Sequence, residues 1–359
     1  MQDNKENFSE YTKTLIPKID NEIESFYNKK ESEASYKFIG DLYPLIKEYC
    51  LRDGKRIRPL LVVLAFDGYS LLKRKRDQVI RLSSFLEIMH SLFLVQDDII
   101  DKSDLRRGKK AFHIVCKEKF SKINKNATIG EDISSVVADI MFTNSIEFIR
   151  TSGFSHRIKD EILKLFSHTY EMTAWGQILD CLYSNPTKIP IKENIPITVS
   201  TLKTAYYTFF YPLMLGYIVS GKRDEAEKKK LEDFALSLGL AFQIRDDILG
   251  TFGSKKDIGK PDDSDIHEGK LTLLVQYTLE ALNKADEKKF TDRLTKKKKS
   301  ISDVKYIRNA IEKSGAYDLT LKKHENYIAD SLKYLEDLSM KNREKEILHG
   351  LIDKIALIE

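Results

Sequence analysis

The chain has 359 residues, 42% apolar and 32% charged, a balance that excludes a mostly disordered protein. Its 60 Lys and Arg against 55 Asp and Glu leave a net charge of only +5, and the basic runs lack interleaved aromatics, so no nucleic-acid partner is expected. At roughly 100–200 residues per domain the length fits two domains or one large helical one.

Only 16 Gly and 8 Pro punctuate the chain, so its elements must be long. Residues 1–35 are strongly polar, with Asp3, Lys5, Glu6 and Glu10 and no apolar h-region, which predicts a peripheral helix and no signal peptide. Apolar runs such as Leu60–Phe66 fall far short of the ~20 residues that span a bilayer, so no transmembrane segment is expected. Over Arg81–Asp101, Leu82, Phe85, Leu86, Met89, Leu92, Phe93 and Val95 recur mostly at helical steps. Arg106–Asp132, basic and then polar, reads as an interruption, and Asn185–Pro196, with three prolines, as a loop. Ile195–Val199 is the best strand-like alternation, and it sits beside Pro196. Helical periodicity returns over Lys230–Ile248 and Thr320–Leu338, separated by the polar Thr251–Gly269. The expectation is an all-α protein; nothing marks a linker, which favours a single domain over 1–359. Cys50, Cys116 and Cys181 form no CxxC pair and leave an odd one over, as in a reducing, cytoplasmic compartment.

Two acidic clusters end apolar helices. Asp97-Asp98-Ile99-Ile100-Asp101 follows Leu92-Phe93-Leu94-Val95, and Asp97 and Asp101, four apart, project from one helix face. Like charges at that spacing repel, and a hard cation converts the repulsion into binding, because Mg²⁺ takes one or two carboxylates together with phosphate oxygens. Asp246-Asp247 ends a second such helix, after Phe242-Gln243-Ile244-Arg245. Two helices of this kind facing each other would present both clusters across one cavity. The cations complement them: Lys55, Arg56 and Arg58 within Gly54–Pro59, Arg106-Arg107-Gly108, Lys203, Lys260 and Lys270. Arg and Lys around a magnesium site suit phosphate.

In this order, GKRIRP (54–59), HSLFLVQDDIIDKSDLRRG (90–108), GQILD (176–180), KT (203–204), FQIRDDILG (242–250) and GKPDDSDIHEGK (259–270) resemble the trans-isoprenyl diphosphate synthases, the family of farnesyl and geranylgeranyl diphosphate synthases. The resemblance covers about residues 40–340. It implies a single bundle of long helices around a deep central cavity, usually a homodimer. It also implies a prenyl transfer in which an allylic diphosphate, held by three Mg²⁺ ions (with Mn²⁺ as a substitute), ionises and is attacked by isopentenyl diphosphate.

By the same resemblance, Asp97, Asp101 and Asp246 hold metal, supported by Asp98 and Asp247. Arg106, Lys203 and Lys260 hold the allylic diphosphate, with Lys270 and Gln243 as further candidates. Lys55, Arg58, His90 and Arg107 hold isopentenyl diphosphate. Thr204, the Lys203 carbonyl and Gln243 stabilise the carbocation. Asp180 is either a border of the metal site or a helix-surface acid. Three positions depart from the family pattern: Asp53 replaces the first Gly of Gly-Gly-Lys, Ala138 replaces the Gly of a Gly-Asp pair before Asp139, and Gly250 stands where many relatives have a third Asp.

Product length should follow the helix before Asp97. At 1.5 Å per residue Phe93 lies ~6 Å, Leu92 ~7.5 Å, Met89 ~12 Å and Phe85 ~18 Å before it. Eukaryotic-type farnesyl synthases carry aromatics at both positions held here by Leu92 and Phe93, so this pocket should be deeper, for a C20 product; C15 and longer products are the alternatives. A terpene cyclase shares DDxxD, but its second metal motif fits neither register here, since Thr251 is followed by Lys255 and Gly250 by Ser254. A non-catalytic partner subunit would be expected to lose acids or paired arginines, and this chain keeps both.

Overall fold

The computed structural model describes residues 2–71, 73–184, 194–253 and 263–358, and their regular structure is almost entirely helical, as the periodicity predicts. The strands among them are a two-residue antiparallel pair, Leu105–Arg106 with Lys109–Lys110. The chain forms two compact units, one of Ser9–Lys164 with Leu215–Lys222, the other of Met1–Phe8, Leu165–Met214 and Arg223–Glu359.

The first unit contains most of α1 (Gln2–Ser32), then α2 (Tyr43–Cys50), α3 (Ile57–Tyr69), α4 (Arg76–Ser83), α5 (Phe85–Ile100), α6 (Phe112–Phe120) and α7 (Ile129–Arg150). Helix α5 packs against α2, α3, α6 and α7. It buries Phe85, Leu86, Ile88, Met89, Leu92 and Val95. His90, Phe93, Asp97 and Ile100, at three- and four-residue steps, form a partly open stripe along the same helix. Arg76–Ile100 is apolar and long enough to cross a membrane by composition, but 72% of its apolar window is packed inside the protein and it carries Glu87, Asp97 and Asp98.

Two expectations need correction here. The N-terminal helix is not peripheral: Leu15, Ile19, Ile23 and Tyr27, one turn apart, are buried to within 1%, a core stripe hidden in the sequence by the charges around it. Arg106–Asp132 is not simply an interruption either, since α6 lies within it and α7 begins there. Phe112, Cys116 and Phe120 give α6 its buried face.

In the second unit, α8 (His156–Tyr183) contributes its residues from Leu165 onward. Ile195–Val199 is helical (α9), not extended: Pro196 sits in its first turn, where its missing N–H costs nothing. It runs directly into a π-helical stretch, Ser200–Phe210, and then α10 (Tyr211–Val219), whose residues to Met214 belong to this unit. Helix α11 (Glu225–Phe252) starts at Asp224, whose carboxylate accepts the N–H groups of Ala226 and Glu227. After α12 (Ser264–Glu268), the helices Leu273–Ala281, Lys284–Leu294, Ile301–Lys313 and Ala316–Glu336 surround a core that includes Ile244, Ile248, Leu274, Phe290 and Ile307. Most of the loop expected over Asn185–Pro196 lies outside the described residues, as does the middle of Thr251–Gly269.

Candidate active site

The two aspartates that open the first acidic cluster have different environments. Asp97 is on the open stripe of α5, with its side chain 21% exposed, whereas the Asp98 side chain is fully buried. Asp98 accepts hydrogen bonds from the Tyr49 hydroxyl at 2.8 Å and from Arg106 Nε at 2.7 Å. Burial, then the Asp98 charge, pushes the Tyr49 hydroxyl well up, which keeps it a donor. Arg106 reaches Asp97 as well, at 3.2 Å. Asp101 caps α5 one turn beyond Asp97, its N–H bonded to the Asp97 carbonyl.

The paired arginines are positioned by a tight hairpin. Leu105 pairs with Lys110 and Arg106 with Lys109. The two residues between, Arg107 and Gly108, both have positive φ, 54° and 73°, the pattern of a type I′ turn. The turn sends Arg106 to the aspartates and Arg107 to the Arg52 carbonyl, at 3.0 Å, and to His90 Nε2, at 3.4 Å. An arginine donates, so the His90 nitrogen facing it accepts and the ring proton belongs on Nδ1. Gly54 is small because the Arg107 guanidinium lies against it: a Cβ there would sit 2.9 Å from Nη2. Asp53 keeps negative φ, so a side chain at this position costs the backbone nothing. Lys55 is exposed, Arg56 buried and Arg58 intermediate, in the turn that opens α3.

Burial, and then the charges of Arg58, Arg107, Arg106 and Arg56, hold His90 well below its usual range. A histidine neutral in the folded protein but free to bind a proton on unfolding costs stability as pH falls below about 6.5. The Tm of the wild type is therefore expected to fall more between about pH 7 and pH 5 than that of His90→Gln. Parallel Tm profiles for the two proteins would contradict this.

The second unit repeats the division between an open and a buried aspartate. Asp246 has a 44% exposed side chain, while Asp247 is buried. A chain of hydrogen bonds runs from Thr204 Oγ1 to Gln243 Oε1, at 2.7 Å, and from Gln243 Nε2 to Asp247 Oδ1, at 2.7 Å. Burial, then the Asp265 charge, pushes the Asp247 carboxyl well up. Lys203 pairs with Asp180 at 2.6 Å, which gives Asp180 a definite role. Lys270 lies 3.4 Å from Asp265 and 2.6 Å from Glu268. Burial works to lower its pKa, but Asp265, Glu268 and Asp180 together hold it well above its usual value. Gly250 also has a steric reason: a Cβ there would lie 2.4 Å from the Asp265 carboxylate. A side chain at this position would require the Asp265 carboxylate to move. Lys260 lies outside the described residues.

Lys203 and Thr204 sit inside the π-helical stretch, where backbone bonds skip one residue further than in an α-helix. Two glycines make room for it. A Cβ on Gly176 of α8 would lie 2.4 Å from the Lys203 nitrogen, and one on Gly239 of α11 would lie 2.5 Å from the Ala205 Cβ. Sequence reasoning missed Tyr49, Asp265 and Glu268. The last two lie inside a quoted motif; Tyr49, 49 residues before Asp98, carries no local signal.

Among the described residues no three His, Cys, Asp or Glu side chains gather as a ready-made metal site. The arrangement instead fits Mg²⁺ that arrives with a phosphate, since that ion needs only one or two carboxylates from the protein. Asp97, Asp101 and Asp246 are hard oxygen donors of that kind and are more exposed than Asp98 and Asp247, which are buried and hydrogen-bonded within the fold.

Residues 41–311 match the polyprenyl synthetase family model. A geranylgeranyl diphosphate synthase of Saccharolobus solfataricus is 31% identical over 299 residues, 82% of this chain and 83% of that protein. A short chain isoprenyl diphosphate synthase of Methanocaldococcus jannaschii is 29% identical over 82% of this chain and 81% of its own. Among solved structures, geranylgeranyl pyrophosphate synthase from Corynebacterium glutamicum, complexed with isoprenyl diphosphate and magnesium, superposes with a TM-score of 0.87 at 24% identity, covering 97% of this chain and 99% of that one. That likeness gives the fold, the all-α isoprenoid synthase fold. With the family model matched across 41–311, the chain belongs to the polyprenyl synthetase family and is a prenyltransferase.

Proposed function

We propose that the protein condenses isopentenyl diphosphate with an allylic diphosphate (dimethylallyl, geranyl or farnesyl) and releases a trans-polyprenyl diphosphate five carbons longer. The observation that carries this reading is the doubled aspartate pattern: Asp97 and Asp246 open, each followed by a buried, hydrogen-bonded partner. In the first unit Asp97 and Asp101 hold metal and Arg106 takes the allylic diphosphate, while Lys55, Arg58, His90 and Arg107 take isopentenyl diphosphate. In the second, Asp246 holds metal, Lys203, Lys260 and Lys270 serve the allylic diphosphate, and Thr204 and Gln243 turn their dipoles toward the carbocation.

Mg²⁺ held by Asp97, Asp101 and Asp246 would supply the charge that neutralises the diphosphate, which leaves with the electron pair of the allylic C–O bond. The double bond of isopentenyl diphosphate then forms the new C–C bond, and the released diphosphate accepts the proton lost. The cationic side chains contribute oriented charge where the leaving group gains it. Both units belong to this one catalytic domain, which the continuous match over 41–311 supports. A homodimer is part of the proposal, supported by the exposed apolar stripe Trp175, Ile178 and Leu182 on α8. A cytoplasmic location fits the packed state of the apolar Arg76–Ile100 stretch.

The product is geranylgeranyl diphosphate. Phe93 is partly open on α5, one turn before Asp97, whereas Leu92, Met89 and Phe85 are buried below it. Phe93→Ala is expected to lengthen the product by at least one isoprene unit, read by chromatography of the dephosphorylated alcohols. An unchanged product distribution would remove Phe93 from the pocket wall. Activity itself is tested with radiolabelled isopentenyl diphosphate, Mg²⁺, the purified protein alone, and C5, C10 or C15 allylic partners. Label left unextended with every partner would favour a non-catalytic subunit, and a cyclic hydrocarbon from the allylic substrate alone would favour a cyclase.

A further inference from the structure

We infer that an ion-pair triad around the buried Arg56, Asp20–Arg56–Glu87, is a positioning device that holds the isopentenyl diphosphate side of the site, and that its outer anchor is the N-terminal helix. The inference rests on the assignment of Lys55, Arg58, His90 and Arg107 to that substrate. All the residues involved lie within the first unit.

Arg56 does not face a ligand. Its side chain is 1% exposed, with Nε 2.8 Å from Asp20 and Nη1 3.2 Å from Glu87. Its backbone is left-handed, φ 49° and ψ 30°, a conformation that a side chain with Cβ adopts only when its surroundings hold it there. That single turn decides where its neighbours point. Lys55, one residue before, is exposed, and Arg58, two residues after, enters the first turn of α3. If the guanidinium left its pocket, the turn would relax toward negative φ and carry both cations with it.

The other end of the triad reaches the remaining two groups. Glu87 is one turn before His90 on α5. Its Oε2 holds Arg56, its Oε1 has no hydrogen-bond partner among the described residues, and its charge acts on Arg107. Arg107 in turn bonds His90 and packs over Gly54. Arg56, Arg58, Arg106 and Arg107 all act on His90. Like charges so close need acids paired beside them to keep their geometry before an anionic substrate arrives. Asp20 and Glu87 do this from two different helices. Asp20 belongs to α1, ahead of the residues that match the family model. Its register is fixed by Ile19 and Ile23, both fully buried, and by Ser84, whose hydroxyl donates to the Ile19 carbonyl.

The test uses Asp20→Ala and Asp20→Asn, because the Asp20 side chain is 31% exposed and tolerates change better than Glu87. Steady-state constants for both substrates, calorimetric binding of isopentenyl diphosphate and Tm are measured on each full-length protein. Asp20→Ala is expected to raise the KM and Kd for isopentenyl diphosphate about tenfold, with the allylic KM within about twofold of wild type. Asp20→Asn, which still accepts from Arg56, should recover much of the loss. Combining Asp20→Ala with Arg58→Ala should give less than the product of the two separate effects, because both act through Arg58. An unchanged isopentenyl diphosphate KM, a rise in both KM values together with a falling Tm, or fully multiplicative effects would each overturn the positioning role. A wild type that binds isopentenyl diphosphate without turning it over would overturn the synthase reading alone, and the Kd of Asp20→Ala would still decide the triad. A wild type that does not bind it would overturn both.

Discussion

Asp97→Ala is expected to lower kcat/KM by about a thousandfold or more and to leave the fold intact, while Asp98→Ala, one residue along, is expected to unfold more easily than it loses chemistry. A thousandfold corresponds to about 4 kcal/mol of transition-state stabilisation. That is the loss expected if this carboxylate holds metal against the departing diphosphate, as proposed. Asp97 contributes less to the fold than Asp98: its side chain is 21% exposed against a fully buried one, and it shares Arg106 with Asp98. Removing it also relieves repulsion with Asp101 one turn away, so Tm should stay level or rise. Asp98 is the opposite case, fully buried and bonded to Tyr49 and Arg106. Its loss strands the Tyr49 hydroxyl and leaves much of the Arg106 charge uncompensated, at a cost of about 3 kcal/mol, the lower end for a broken buried pair because Arg106 keeps Asp97. Thermal melts and steady-state kinetics on both variants separate the two roles. If Asp97→Ala kept wild-type kcat/KM, or if Asp98→Ala melted with wild type while losing all turnover, the division between an open and a buried aspartate would be wrong.

That division marks the limit of what sequence pattern alone reveals. The helical step of Phe85, Met89 and Leu92 identifies α5, and the DDxxD at its end identifies the acidic cluster. Nothing in the run Asp97-Asp98 says which carboxylate turns inward, because that depends on Tyr49 and Arg106 arriving from elsewhere in the chain. The N-terminal helix escaped for a different reason. Its buried positions, Leu15, Ile19, Ile23 and Tyr27, have regular spacing, but the charged residues between them dominate the composition. Gly250 is a third kind of case: the missing aspartate was legible as a departure, whereas its cause, the Asp265 carboxylate occupying the space, is a contact between residues 15 apart. The π-helical winding over Ser200–Phe210 has no composition cue at all, because packing against Gly176 and Gly239 accommodates it.

The packing at Gly176 carries the second large prediction. Gly176→Ala adds one methyl group to a helix interior, a change that by propensity alone should stabilise by about 1 kcal/mol. Here the new Cβ would lie 2.4 Å from the Lys203 nitrogen and 2.8 Å from the Leu202 carbonyl carbon. Both are backbone atoms, so no side chain can rotate away and the π-helical segment itself must move. Overpacking of this kind costs about 1–3 kcal/mol, which outweighs the propensity gain. The consequence for chemistry is larger, because the displaced residues are Lys203, paired with Asp180, and Thr204, which begins the hydrogen-bond chain through Gln243 to Asp247. A shift approaching 1 Å in groups of this kind costs about a hundredfold in rate. Gly176→Ala should therefore lose about that factor in kcat, while the KM for isopentenyl diphosphate, assigned to residues of the first unit, stays near wild type. If the variant instead melts higher and turns over as wild type, the π-helical segment tolerates displacement, and Lys203 and Thr204 do not depend on its winding.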